Sequence, residues 1–151
     1  MRWIRPIVVL AGSAVLAFPS PASSSPADLI VINTIRFDPP GADDGSNTSL
    51  NGEYVVIENT GGQAVTLSGW TVRDTDRHLY RFPTFRLGSG AQVRIHTGSG
   101  SDSRRDLYWG SDGYVWNDGG DTAILRDDRG RRIDLCRYTG SGSSVTCEPA
   151  G

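Results

Sequence analysis

The sequence contains no lysine: all 15 of its basic residues are arginine. That absence removes Schiff-base chemistry and the phosphate-cradling lysine of a P-loop. Histidine and cysteine occur only twice each, so the material for acid–base or thiol catalysis is thin. Beyond residue 28 no apolar residues recur at helical spacing over ten positions, which excludes a helical bundle. What is abundant is turn chemistry. With 19 Gly and 8 Pro beside 37% hydrophobic residues, the composition is globular and turn-rich, unlike a coiled coil, collagen or a multi-span membrane protein.

The amino terminus carries an address. Arg2 and Arg5 precede an apolar run of 12 residues, Ile7 to Phe18, and then Pro and small residues follow. A helix needs ~20 residues to cross the hydrocarbon core, so this run fits a Sec-type signal peptide rather than a span. Cleavage after Ala22 or after Ala27 satisfies the small-x-small rule; the strand-like pattern begins directly after Ala27, which favours that site and makes 28–151 the folded part. Removing Arg2 and Arg5 leaves 13 arginines against 17 carboxylates, a net charge of −4 for the exported chain. An acidic chain of that size has room for one modest core, is expected to be monomeric, and makes a poor partner for nucleic acid.

Cys136 and Cys147 both lie in the exported part and allow one intramolecular pairing. The loop between them, RYTGSGSSVT, is half Gly and Ser; closing it is worth ~3 kcal/mol on the chain-entropy account. Two sulfurs without a nearby histidine make a poor zinc site, so a structural disulfide is expected.

Short β-rich runs bounded by Gly, Asp, Asn or Ser recur at roughly ten-residue spacing. Leu29 to Phe37 places Leu29, Val31, Ile35 and Phe37 on one face, EYVVIEN (53–59) turns Val55 and Ile57 inward, and QVRIHT (92–97) alternates cleanly. Tyr114 to Trp116 reads as extended, and Asp121 to Arg126 with Arg132 to Arg137 flank a DDRG turn. Seven to nine one-sided strands without intervening helices imply an all-β fold, an antiparallel β-sandwich.

Five motifs in order carry a family resemblance. They are Gly52-Glu53-Tyr54-Val55-Val56-Ile57-Glu58-Asn59, LSGWTVRD from Leu67 to Asp74, Tyr80-Arg81-Phe82-Pro83, LGSG from Leu87 to Gly90, and WNDGGDTAILRD from Trp116 to Asp127. Together, over about residues 29 to 138, they resemble the lamin tail domain, which implies an immunoglobulin-like sandwich. The chain is also similar to a small secreted bacterial branch whose tail carries a Cys pair around a Gly/Ser-rich loop. It lacks the coiled-coil rod, the basic localisation run and the prenylation motif of nuclear lamins, so filament assembly and nuclear roles do not transfer. The motifs also have a direct physical reading. Gly69 lets the chain bend so that the Trp70 indole enters between the sheets, and Asn59 with the following glycines is strand-to-turn chemistry.

Reaction chemistry is sparse: there is no G-x-S-x-G, H-E-x-x-H or C-x-x-C. A His78 pair with Asp74 or Asp76 has no elbow serine near it in sequence, and His96 faces solvent opposite Ile95. No catalytic residue is assigned, and no enzyme is expected. For Ca²⁺, Asp43, Asp44 and Asn47 are the weak candidates, in a loop that also holds Asp38 and Glu53; a second loop gathers Asp112, Asp118 and Asp121. Neither loop has EF-hand spacing, and these residue types are ordinary turn formers. Tyr108, Trp109, Tyr114 and Trp116 form either an exposed stacking platform for a sugar or peptide, or a plug in which the two tryptophans close the sandwich end. The sequence therefore points to a secreted interaction module whose partner is an extracellular protein or polysaccharide. The alternatives are a carbohydrate-binding module built on the Tyr108–Trp116 loop, and a small secreted enzyme.

Overall fold

The computed structural model describes residues 23–148. Residues 1–22 of the segment expected to be a signal peptide lie outside them, and the first element of the described residues is a short 3-10 turn, Pro26–Leu29, capped by Ser25.

The strand that follows, β1 (Ile30–Arg36), buries Ile30, Ile32 and Ile35. Its inward face is not the strictly alternating one that the sequence suggests. Pairing with β2 (Tyr54–Asn59) slips by one residue between Ile32 and Thr34, a β-bulge at Asn33. The bulge moves the phase by one, so Ile30 and Ile32 share the core face with Ile35 and Phe37, while Leu29 and Val31 stay half-exposed. Between β1 and β2, the Asp- and Gly-rich stretch holds a helix too short to show a period, α1 (Asn47–Gly52). Ser46 caps it by accepting from the Ser49 N–H, and Leu50 is buried beneath it.

Nine further strands follow: β3 (Val65–Thr66), β4 (Thr71–Arg73), β5 (Leu79–Arg81), β6 (Arg86–Leu87), β7 (Gln92–His96), β8 (Asp106–Tyr108), β9 (Asp121–Arg126), β10 (Arg132–Tyr138) and β11 (Ser144–Thr146). They form a five-stranded sheet in the order β11-β1-β2-β7-β8, a four-stranded sheet β10-β9-β4-β5 and a two-stranded ribbon β3-β6. All pairings are antiparallel except β7 with β8. That parallel pair, the β6 strand in the expected LGSG turn and the β11 strand inside the Gly/Ser loop are departures from the sequence reading. Each is two or three residues long, below what a period of two can display.

The two larger sheets face each other as an immunoglobulin-like sandwich. Val55, Ile57, Val93 and Ile95 from one meet Val72, Leu125 and Ala123 from the other in one continuous core. Trp70 enters this core as expected, behind Gly69, whose φ of 80° places it in the left-handed region that disfavours a side chain. Phe37 stacks on Tyr138 with ring centroids 4.3 Å apart. Beside them Cys136 on β10 is bonded to Cys147 just past β11, which ties an edge of one sheet to an edge of the other. Neither cysteine is free.

Candidate ligand surface

The four loop aromatics divide rather than converge. Trp116 is 1% exposed and belongs to the core. Trp109 packs edge-on against it, with centroids 5.9 Å apart, and against Tyr80 at 5.6 Å. Tyr114 turns toward α1, where its hydroxyl meets Ser49 Oγ at 2.7 Å and accepts from the Gly45 N–H. Tyr108 alone reaches a sheet face. The two tryptophans thus plug one end of the sandwich, and the loop offers no common stacking platform. Nor is Tyr114–Trp116 a strand: the Val115 and Trp116 N–H groups donate to Glu53 instead of to a ladder.

A different surface emerges on the outer face of the five-stranded sheet. Val55 and Ile57 of β2, Val93 and Ile95 of β7 and Leu107 of β8 point inward, so the alternating outward positions fall into cross-strand rows. One row runs Ser144, Arg36, Tyr54, His96, Tyr108 across β11, β1, β2, β7 and β8. The next places Val56 opposite Arg94, and Arg94 opposite Asp106. The guanidinium carbons of Arg36 and Arg94 lie 5.9 and 5.4 Å from the Tyr54 ring centroid. His96 meets Tyr54 edge-on and stacks on Tyr108 with centroids 5.1 Å apart. Its ring nitrogens face the Asn51 carbonyl at 2.8 Å and Asp106 Oδ1 at 2.9 Å. Gly100 closes over Tyr108 so tightly that a Cβ there would come within 2.3 Å of Cζ. The aromatic groups are therefore locked in place by their neighbours, with arginines around them.

Beside this row opens a groove of about 630 Å³, lined by Gln92, Arg94, Arg104, Arg105, Asp106 and the Gly90-Ala91 turn. Among the described residues, Arg131 is the one arginine in salt bridges, to Asp28 and Asp127. The guanidiniums of Arg36, Arg94, Arg104 and Arg105 have no carboxylate partner there.

The scaffold that displays this face rests on two buried polar side chains. Asn59 Nδ2 donates to the Gln63 and Leu87 carbonyls at 2.8 and 3.1 Å, while its Oδ1 accepts from the Gly61 N–H at 2.9 Å. Glu53 Oε1 accepts from Thr97 Oγ1 at 2.6 Å and from the Val115 and Trp116 N–H groups at 2.8 Å. Its Oε2 is buried without a partner. Both residues stand in the first of the five sequence motifs. A family model described as Lamin Tail Domain matches residues 23–140. The chain belongs to the lamin tail domain family. A search of curated proteins finds no match.

In this lamin tail domain the acids of the other loops also work as acceptors. Asp44 Oδ1 accepts from the Ser46 N–H, and the Ser46 hydroxyl together with that N–H holds its carboxyl below the usual range. Asn47 clasps Ser99 by donating to its carbonyl and accepting from its N–H, so neither Asp44 nor Asn47 keeps an idle side chain; Asp43 is exposed beside them. Asp118 is raised by partial burial and by the charges of Asp43 and Asp38. Asp74, Asp76 and Asp121 approach within 4.8 Å of one another, a grouping from distant segments that spacing did not reveal. Asp121 there accepts from Thr75, Asn117 and Thr122, and Asp74 from the His78 ring and backbone N–H. The Asp74 hydrogen bond raises His78 above its ordinary value. Neither histidine ring hydrogen-bonds to a serine, threonine or cysteine side chain among the described residues.

Proposed function

We propose that this lamin tail domain is an exported, non-catalytic module that binds an extracellular partner through its sheet surface. The observation that carries the reading is how its reactive side chains are used. Glu53, Asp74, Asp121 and Asp134 are buried acceptors that hold loops and strands, whereas Arg36 and Arg94 on the outer sheet face are half-exposed and exposed, with no salt bridge among the described residues. A general base must reach a substrate proton, and groups committed to several donors inside the fold are built for support instead. The disulfide supports export, because such bonds persist in oxidising compartments. Among the described residues no helix is long and apolar enough to cross a membrane.

The fold also bears on where a signal peptidase would cut. Ser25 caps the 3-10 turn in a reciprocal capping box with Asp28, Ala27 packs against the core, and Asp28 pairs with Arg131 at 2.7 Å. Cleavage after Ala27 would sever that turn, whereas cleavage after Ala22 leaves it whole. We therefore infer Ser23 as the mature start, a preference opposite to the one drawn from the strand pattern.

The test is to incubate the purified, disulfide-intact mature protein with envelope and extracellular-polymer fractions of the producing cell, and with a panel of hydrolase substrates. Retention on a fraction without turnover is expected. Turnover abolished by His78→Ala or His96→Ala, or passage through every fraction unretained, contradicts the proposal.

A further inference from the structure

The exported chain is acidic overall, yet several arginines gather along one side of the five-stranded sheet. Arg36 and Arg94 on the outer face of the five-stranded sheet, and Arg104 and Arg105 in the bend that leads into β8 at its edge, have no carboxylate partner among the described residues. The acids on the same strands and in the loop before β8 each have a hydrogen-bond partner: Glu58 accepts from Asn33 Nδ2 at 2.6 Å and Gln92 Nε2 at 3.1 Å, Asp106 faces His96, and Asp102 accepts from the Tyr108 N–H at 3.1 Å. Four unneutralised guanidiniums on a net-negative protein make this face a local anion trap. Two of them are held against Tyr54, so part of the side-chain entropy that anion binding normally costs is already lost. A guanidinium packed on a ring keeps N–H groups at its edge for bidentate contact with a carboxylate.

The shape narrows the ligand. From Arg36 on β1 to the arginines beside β8 is three strand spacings, ~14 Å at the usual separation, which suits several residues of a linear chain rather than one small anion. The groove of about 630 Å³ beside β7 and β8 has the size of a site that seats a small ligand or one portion of a polymer. Single-stranded nucleic acid needs open aromatic faces for its bases, and here Tyr54 carries two guanidiniums while Tyr108 is enclosed by His96 and Gly100. Duplex DNA is read by an element that enters a groove, and this face is a sheet surface with no such projection. Neutral sugars bind by ring stacking and meet the same enclosed rings. Donors are what remain open.

We infer that the outer face of the five-stranded sheet binds a linear polysaccharide bearing carboxylates, its acid groups held by Arg36, Arg94, Arg104 and Arg105. The inference rests on the binding-module reading and adds the ligand class and the residues.

The experiment measures binding of the disulfide-intact mature protein to polygalacturonate, to a neutral glucan of similar length, and to single- and double-stranded DNA, at low and high salt. Polygalacturonate binding that weakens with salt is expected, with none to the glucan. Arg94→Ala and Arg105→Ala should each weaken it by about tenfold, the loss of one charge-assisted contact. Arg94→Lys should recover only part of that, since the charge returns without the fork. Arg129→Ala, on the exposed turn between β9 and β10, should leave binding unchanged. Because the substituted side chains are exposed, an unaltered thermal midpoint shows that each variant folds. Equal or tighter binding to DNA, binding to the neutral glucan, or binding indifferent to Arg94 and Arg105 overturns the inference. If no polymer in the set binds but an envelope fraction still retains the protein, the ligand class is wrong and the module reading stands. If neither occurs, both fail.

Discussion

Glu53 is the most consequential polar side chain in the core, and its replacement separates two roles. It is fully buried, and one oxygen collects two backbone N–H groups and a hydroxyl from segments 44 and 62–63 residues away. Glu53→Ala strands those three donors at ~1–3 kcal/mol each and leaves a small void, partly offset by removal of a buried carboxylate; a net loss of about 3–5 kcal/mol follows. That is a large part of the stability of an ordinary domain. Glu53→Gln retains an acceptor for all three donors and should cost less. The charge contributes separately, because burial pushes this carboxyl from 4.5 up to about 7, against the opposing pull of its hydrogen bonds. A carboxyl raised in the folded state stabilises the fold fully below the unfolded value, and that contribution is lost as pH rises through the folded value. The wild type should therefore lose about 2–4 kcal/mol relative to Glu53→Gln between pH 4.5 and 7.5. Urea unfolding followed by tryptophan fluorescence, disulfide intact, reads both effects. A Glu53→Ala loss below about 1 kcal/mol, or a wild type to Glu53→Gln difference that does not change with pH, would refute the reasoning.

Two further stability outcomes follow from the same contacts. Asn59→Ala should cost about 2–4 kcal/mol, because it leaves the Gln63 and Leu87 carbonyls without their side-chain donor and the Gly61 N–H without its acceptor; Asn59→Asp, which cannot donate, should recover little in the same urea assay. Replacing Cys136 and Cys147 together by serine should lower stability by ~3 kcal/mol and loosen β11 first, seen as faster amide exchange at Val145 and Thr146.

Much of this fold is legible along the chain because long, one-sided strands display their period. EYVVIEN and QVRIHT carry their core residues at alternate positions, and the lone cysteine pair admits one partner. The features that a single strand does not display are set by groups far apart in sequence. The Asn33 bulge breaks a phase that looks continuous in LIVINTIRF, since its extra residue is defined only against β2. Val115 and Trp116 have strand-like composition, but their N–H groups are claimed by Glu53, whose place beside them depends on the closed sandwich. The arginine and aromatic face is the clearest case. Arg36, Tyr54, Arg94, His96 and Tyr108 each occupy an ordinary outward position in their own strand. Only the cross-strand register brings them into adjacent rows. The aromatic cluster that stood out in sequence, Tyr108 to Trp116, dispersed because its tryptophans serve the core better than the surface.

Every proposed role depends on the protein reaching an oxidising, extracellular setting with its staple closed. The direct measurement is the intact mass of the protein recovered outside the producing cell, alkylated with and without prior reduction. A mass beginning at Ser23, with two alkylated thiols appearing only after reduction, is the predicted result. A chain retained inside the cell with its amino-terminal segment intact and both cysteines alkylated without reduction would contradict the account.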